Sequence, residues 1–266
     1  MNTITSKNNN KIKDLIKLRD DSKFRNDKSL FYVEGERIIK DTPIELINEI
    51  YVSDNKVDEY KHILDNYNSD IIYIINNEIV DKIKDTINSQ GIFAVVKYNH
   101  INKIDEIDLN SINSILVLSD ISDPGNVGTI IRLSEAANID LIVVSSKSCS
   151  IYNTKVVRSC MSSIFRKKIY ISNNLESDLQ IIKQKGFRVF STILNKNSKR
   201  YTDVDFKNKS CVIFGNEAIG ITDEIVKISD DAIYIPMCGN IESLNVSVAA
   251  SIVCYEIMRQ NNYYGI

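Results

Sequence analysis

Apolar side chains return at helical intervals near the end of the chain. Val246, Ala249, Ala250, Val253 and Ile257 stand at i, i+3, i+4, i+7 and i+11, which is one face of a helix. Upstream, a short apolar run over 232–235 is stopped by Pro236, and Gly239 and Asn240 lie between run and helix. The pattern predicts strand, loop, helix, with Ser243 or Asn245 as N-cap, because a short polar side chain there satisfies a free N–H. At such a junction backbone donors and acceptors remain open to a ligand.

The same reading covers the rest of the chain. In the first half it predicts a basic helix over 10–19 (apolar at Ile12, Leu15, Ile16 and Leu18), strands over 30–33, 49–52, 70–75 and 91–97, and helices over 36–47, 57–67 and 78–87. Pro43 interrupts the helix over 36–47. The polar, weakly patterned stretch 98–113 reads as a linker. Beyond it, apolar strands over 115–118, 141–144, 168–171, 187–193, 211–214 and 232–235 alternate with helices over 126–137, 154–163 and 175–185, from 222, and at the C-terminal end. Near-continuous apolar strands between helices predict a parallel sheet covered on both faces. The expectation is an α/β chain of two domains, 1–100 and 110–266.

Composition narrows the function classes. The 266 residues are 43% hydrophobic and 26% charged, as in a globular protein. No apolar tract is long enough for a membrane span, and the N-terminus has no signal-peptide core, so a cytoplasmic location is expected. Cys149, Cys160, Cys211, Cys238 and Cys254 form no C-x-x-C pair, and only His62 and His100 accompany them. That set predicts no metal site and small core cysteines in a reducing compartment. The net charge of −2 argues against a nucleic-acid partner, but residues 7–28 carry eight cations (Lys7, Lys11, Lys13, Lys17, Arg19, Lys23, Arg25 and Lys28) against four acids. The excess marks either a phosphate-facing surface or a solvated helix face.

Three loops carry candidate chemistry. Residues 123–132 read D-P-G-N-V-G-T-I-I-R at a strand-to-helix junction. Gly125 and Gly128 permit close backbone approach, and Arg132 is expected in the first or second helical turn, pointing back toward the loop. Residues 215–220 read G-N-E-A-I-G after a strand, where α/β sheets bind ligands. A phosphate-binding P-loop is rejected because Ile221 stands in place of the lysine, and no G-x-G-x-x-G for a dinucleotide occurs. Residues 235–250 read I-P-M-C-G-N-I-E-S-L-N-V-S-V-A-A.

In this order and spacing the three stretches resemble motifs one, two and three of the SpoU (TrmH-like) RNA ribose 2′-O-methyltransferases of the SPOUT class. The resemblance covers residues 115–260, with Ser134 and Asn138-Ile139 departing from the small residues frequent in the family. Residues 31–37 (F-Y-V-E-G-E-R) and 90–96 (Q-G-I-F-A-V-V) are similar to the L30e-like substrate-binding domain often fused to it. The resemblance implies an L30e-like α/β/α domain, then a SPOUT domain whose parallel sheet closes a deep trefoil knot, working as a homodimer. It implies S-adenosylmethionine as cofactor, its adenosine held by Gly215, Ile235 and Leu244, with Asn216, Gly220 and Met237 on the same loops. It implies catalytic roles for Arg132, Asn126, Glu217, Ser243 and Asn245, in which Glu217 orients Arg132 or binds ribose, and Ser243 and Asn245 position Arg132 or the ribose. It implies RNA contacts at Glu34, Gly35, Arg37, Lys11 and Arg25, with Glu34, Gly35 and Arg37 equally readable as a strand-end turn. The implied partner is RNA, 23S-type ribosomal rather than transfer RNA. A catalytically inactive RNA-binding relative is the alternative.

Overall fold

A computed structural model describes residues 1–241 and 243–262. In chain order the first elements are β1 (Asn2–Ile4), α1 (Asn10–Asp20), α2 (Ser22–Lys28), β2 (Leu30–Glu34), α3 (Glu36–Asp41), β3 (Ile47–Ser53), α4 (Lys61–Leu64), β4 (Ile72–Ile75), α5 (Asn77–Ile83) and β5 (Ile92–Lys97). There follow β6 (Ser114–Leu118), α6 (Pro124–Ala136), β7 (Leu141–Ser145), α7 (Thr154–Cys160), α8 (Ser163–Arg166), β8 (Lys168–Ser172), α9 (Leu175–Gln184), β9 (Arg188–Thr192), β10 (Lys199–Arg200), β11 (Ser210–Phe214), α10 (Asp223–Ile228), β12 (Asp231–Tyr234) and α11 (Val246–Gln260). The chain divides into two compact units, one of residues 1–99 with 152–165, the other of 100–151 with 166–266.

The first unit is built on a sheet ordered β1-β4-β3-β5-β2, with β2 and β3 antiparallel to β5. Ile12, Leu15 and Leu18 of α1 bury with Tyr32, Tyr51, Phe93 and Val95. Asn9 caps α1 by accepting from the Lys11 N–H. Several sequence expectations change here: the helix expected over 36–47 stops at Asp41, before Pro43, and Ile47 opens β3. The polar edge strand β1 and the short α2 carry too weak a pattern to be read. The helix expected over 57–67 contracts to α4, since 54–60 form tighter turns. The helix expected to reach Ile87 ends at Ile83.

Segment 152–165 joins this unit through rings. Tyr152 stacks on Tyr98 at 3.8 Å and 14°, and Phe31 lies 4.6 Å from Tyr152 and 6.2 Å from Phe165. No helical or strand period announces such pairings, so the sequence assigned 154–163 to its neighbours along the chain.

The second unit holds an all-parallel sheet ordered β10-β12-β9-β11-β6-β7-β8. Strands β6, β7 and β11 are buried along their whole length, which explains their unbroken apolar runs. The stretch read as a linker is not a free tether. Ile104, Ile107, Leu109 and Ile112 are buried in the core of this unit, spaced by turns that defeat a periodic reading. Three cysteines fit the expected core role (Cys160, Cys211 and Cys254), whereas Cys149 is half-buried and Cys238 is exposed. Among the described residues no helix is long and apolar enough to cross a membrane, and no group of three or more His, Cys, Asp or Glu could hold a metal ion.

Sheet order fixes where a site can form. The chain leaves β6 toward β7 and β8 on one side, then returns to β9 and β11 on the other. The switch therefore falls between the neighbours β6 and β11, and parallel α/β sheets bind ligands outside the carboxyl ends of strands at such a point. The register pairs Leu118 with Phe214, and the Ser119 N–H donates to the Phe214 carbonyl at 2.9 Å. The first and second motif loops thus start side by side.

Candidate functional site

Each loop is shaped by its own sequence before it meets the others. Asp123 caps α6 by accepting from the Asn126 N–H at 2.9 Å, and Pro124 occupies the first turn, where its missing N–H costs nothing. The helix therefore begins at Pro124 rather than Asn126. In the second loop Asn216 and Gly220 exchange backbone hydrogen bonds of 3.0 and 2.9 Å, closing a ring over 216–220. Gly220 sits at φ +72°, a backbone conformation that suits glycine. In the third loop Asn245 is the cap of α11: its Oδ1 accepts from the N–H groups of Ser247 and Val248. That resolves the choice between Ser243 and Asn245.

The three loops meet at Asn126, which is only 8% exposed. Its Nδ2 donates to Glu217 Oε1 at 2.9 Å, and its Oδ1 accepts from Asn245 Nδ2 at 3.1 Å. One side-chain amide therefore joins all three motifs. Glu217 Oε2 accepts from the Ser122 backbone N–H at 3.3 Å and from Ser122 Oγ at 3.1 Å. Asn216 Nδ2 donates to the Asp120 carbonyl at 2.7 Å, and Asp120, at φ 58°, also binds Ser145 through its carboxylate.

Partial burial opposes ionisation of Glu217, but hydrogen bonds from Asn126, its own backbone and Ser122 outweigh it and hold the carboxyl below its ordinary range. The sign follows. A group with a depressed folded pKa adds stability above its unfolded pKa, near 4.3, and loses it as pH falls through the folded value. We expect Glu217→Gln to be less stable than the parent in denaturant titrations at pH 7, and the gap to close well below pH 4. A gap of the same size at both pH values would show that the carboxylate charge contributes nothing.

Arg132 is placed differently from its expectation. It is the ninth residue of α6, in the third turn, roughly 9 Å along the axis from Asn126. The guanidinium is exposed and makes no hydrogen bond or ion pair with any described residue. Glu217 therefore pairs with Asn126 and Ser122 rather than with Arg132, and Asn245 holds Asn126. Ser243 is exposed and bonds to no described residue.

Gly215, Asn216, Ile235, Met237 and Leu244 are half-buried on the second and third loops. Among the described residues, Met237 to Asn240 make no backbone–backbone hydrogen bond. Their peptide groups have no main-chain partner among these residues and are candidates to meet a ligand.

In the first unit the cationic candidates separate. Arg25 is corrected outright: it is 3% exposed, and its guanidinium donates to the Leu18 and Arg19 carbonyls at the end of α1, so it is out of reach of a phosphate. Lys11 is engaged by Glu49 and lies over the Tyr73 ring at 4.6 Å. Glu34 accepts from Thr86 Oγ at 2.6 Å and from the Asp85 N–H at 2.8 Å, latching the 84–86 turn. Gly35, at φ +110°, turns the chain into α3. Arg37 is exposed and makes no bond with any described residue.

Sequence reasoning missed Ser122 and Asp120. The polar cluster S-D-I-S-D, directly after an apolar strand, was the available signal.

Comparison with known proteins supplies the wider frame. The SpoU rRNA Methylase family profile matches residues 113–255, and the MRM3-like substrate binding domain matches residues 9–94. The chain is 30% identical over 259 residues to the 23S rRNA (guanosine(2553)-2′-O)-methyltransferase RlmP of Bacillus subtilis, covering 97% of this chain and 99% of that one. It is 29% identical over 152 residues to a tRNA (guanosine(18)-2′-O)-methyltransferase of Thermus thermophilus, covering 56% of this chain and 76% of the relative. The fold is shared with the AdoMet-bound rRNA methyltransferase of Sinorhizobium meliloti, at TM-score 0.86 and 24% identity, with 97% of each chain covered. With a family profile spanning more than half of its residues and a relative matched from end to end, the chain belongs to the SpoU family of RNA ribose 2′-O-methyltransferases.

Proposed function

We propose that the chain methylates one ribose 2′-hydroxyl of 23S-type ribosomal RNA, in the cytoplasm and as a homodimer with a knotted second unit. The observation that carries the site is the bridge through Asn126, which fixes three loops of distant sequence at the sheet's switch point. End-to-end similarity to a 23S rRNA enzyme, set against partial similarity to a tRNA enzyme, supports ribosomal RNA.

In this reading the backbone of Gly215, Asn216, Gly220, Ile235, Met237 and Leu244 holds the adenosine. S-adenosylmethionine, when bound, supplies an electrophilic methyl group on a sulfonium. Asn126, Glu217 and Asn245 keep the loops in register, so the 2′-oxygen meets the methyl in line. Among the described residues the Arg132 guanidinium has no partner, which leaves it for a substrate phosphate and for charge growing on the 2′-oxygen. A guanidinium is permanently protonated in its free state, so this role is electrostatic. Arg37 faces the RNA from the first unit, on the turn that Gly35 makes and Glu34 latches.

The test is to map 2′-O-methyl marks in total RNA from cells with and without the gene. One 23S rRNA ribose should lose its mark. Loss from a tRNA instead would overturn the ribosomal assignment, and no loss anywhere would overturn the activity.

A further inference from the structure

Within the first unit a cavity of about 280 Å³ opens between the end of β2, the start of α3 and the segment 154–162. Val33, Ile38 and Val157 give it apolar walls. Its polar groups are few and differ sharply in how they are satisfied. Arg158 is paired with Asp85, and both oxygens of Glu34 are spent on the 85–86 turn and Tyr32. The ion pair and the Glu34 bonds answer these charges within the protein, although Asp85 Oδ2 accepts no hydrogen bond. Other polar groups of the lining are not so answered, among the described residues, and three of them bear on a ligand. Ser162 is 1% exposed, and its Oγ is buried with no hydrogen-bond partner. A buried polar group left this way normally calls for a ligand or a water. Gln90 spends its Oε1 on the Glu36 N–H at 2.7 Å, which leaves the donors of its amide available. Arg37 lines the cavity, is exposed, and makes no bond with a described residue.

We propose that this cavity receives a single RNA nucleotide turned out of its stack, with the base inside against Ser162 and Gln90 and its phosphate on Arg37. The lining holds two arginines and two carboxylates, so it is neutral in sum and suits an uncharged base rather than a polyanion. Apolar walls with a few edge-reading polar groups are what a nucleobase requires, and RNA is read in sequence where unpaired bases are splayed out. The volume falls just below the range typical of drug-sized ligands and is large enough for a nucleobase. Met161, beside Ser162, is held at φ 53° and ψ −138°, an unusual conformation for a residue with a side chain and one concentrated at binding sites. The cavity shares no residue with the motif loops, so it would choose the RNA rather than perform the transfer. This inference rests on the RNA methyltransferase reading above.

The experiment uses the full chain and a 23S rRNA transcript that the parent methylates, prepared as a set with single abasic positions. Arg37→Ala should raise the transcript KM roughly tenfold and reduce the salt slope of binding by about 1, because one phosphate contact is lost. Ser162→Val should raise the KM while melting no lower than the parent, since it removes an unsatisfied hydroxyl. The decisive readout is coupling. One abasic position away from the methylated ribose should weaken binding to the parent about tenfold and leave binding to Ser162→Val unchanged, as two groups in one contact are non-additive. Additive losses at every position would overturn the proposal, as would parent-like KM values in both variants. Free AMP or GMP bound as tightly as the transcript in calorimetry would overturn assignment to an RNA chain. A parent that methylates no transcript would remove the activity itself, an outcome distinct from failure of the cavity alone.

Discussion

Arg132→Ala should abolish methyl transfer while leaving S-adenosylmethionine affinity within about twofold of the parent. The residue lies on α6, six positions beyond Asn126, with its guanidinium exposed and unpaired among the described residues. Removing it breaks no hydrogen bond to a described residue, so thermal stability should not fall. The side chain also lies outside the loops at 215–220 and 235–245 that we propose hold the adenosine. Its contribution must then appear when charge develops on the substrate, and interactions made only at that stage act on rate. Loss of one such electrostatic contact costs about 10²–10³ in rate. Arg132→Lys should fail as well, because an ammonium cannot reproduce the planar two-point fork on a phosphate. Single-turnover transfer and a cofactor titration, run side by side, check both halves. Transfer near the parent rate would remove Arg132 from the mechanism, and joint loss of cofactor binding would make it a structural residue of the cofactor site.

The second large effect is expected at Gly215. A Cβ there would lie 2.4 Å from the carbonyl carbon of Gly220, 2.5 Å from its oxygen and 2.6 Å from Ile221 Cγ1. Two of these atoms are backbone and cannot rotate away. They also belong to the ring that Asn216 and Gly220 close, so Gly215→Ala must open it. Overpacking of this kind costs about 1–3 kcal/mol. If that cost falls on the cofactor-bound loop, affinity drops roughly 10- to 100-fold. The strand should survive, because β11 stays paired on both sides with β6 and β9. Gly239→Ala is a control for folding only: among the described residues an added methyl there meets nothing within 4 Å, and it should melt as the parent does. Calorimetric binding by Gly215→Ala equal to the parent's would show that the ring does not shape the cofactor site.

The sequence displays what repeats and hides what is met once. Strands β6, β7 and β11 are legible because full burial on both faces demands unbroken apolar residues. The site residues are legible through literal order, since Asn126, Glu217 and Asn245 stand in recognisable stretches. Their partners are not. Nothing along the chain says that Glu217 answers Ser122 and Asn126 rather than Arg132, because the pairing is set by β6 and β11 lying side by side. Arg25 shows the converse failure: a cation in a basic run looks solvated until its carbonyl partners at Leu18 and Arg19 are seen. The 98–113 stretch misleads because Ile104, Ile107, Leu109 and Ile112 fill a core from turns.

The ring cluster of the first unit also sets a timetable for the newborn chain. Phe31 and Tyr98 emerge early, but Tyr152 and Phe165, the rings that finish the cluster, lie tens of residues later. At 5–20 residues per second, roughly 3–13 s of synthesis separates residue 99 from residue 165. During that interval the leading half carries an open apolar face while β6 and β7 are being made. A nascent chain arrested between those two points should therefore be the form most readily cut by protease and most readily held by chaperones. Release from both should come with residue 165, before the second sheet is complete.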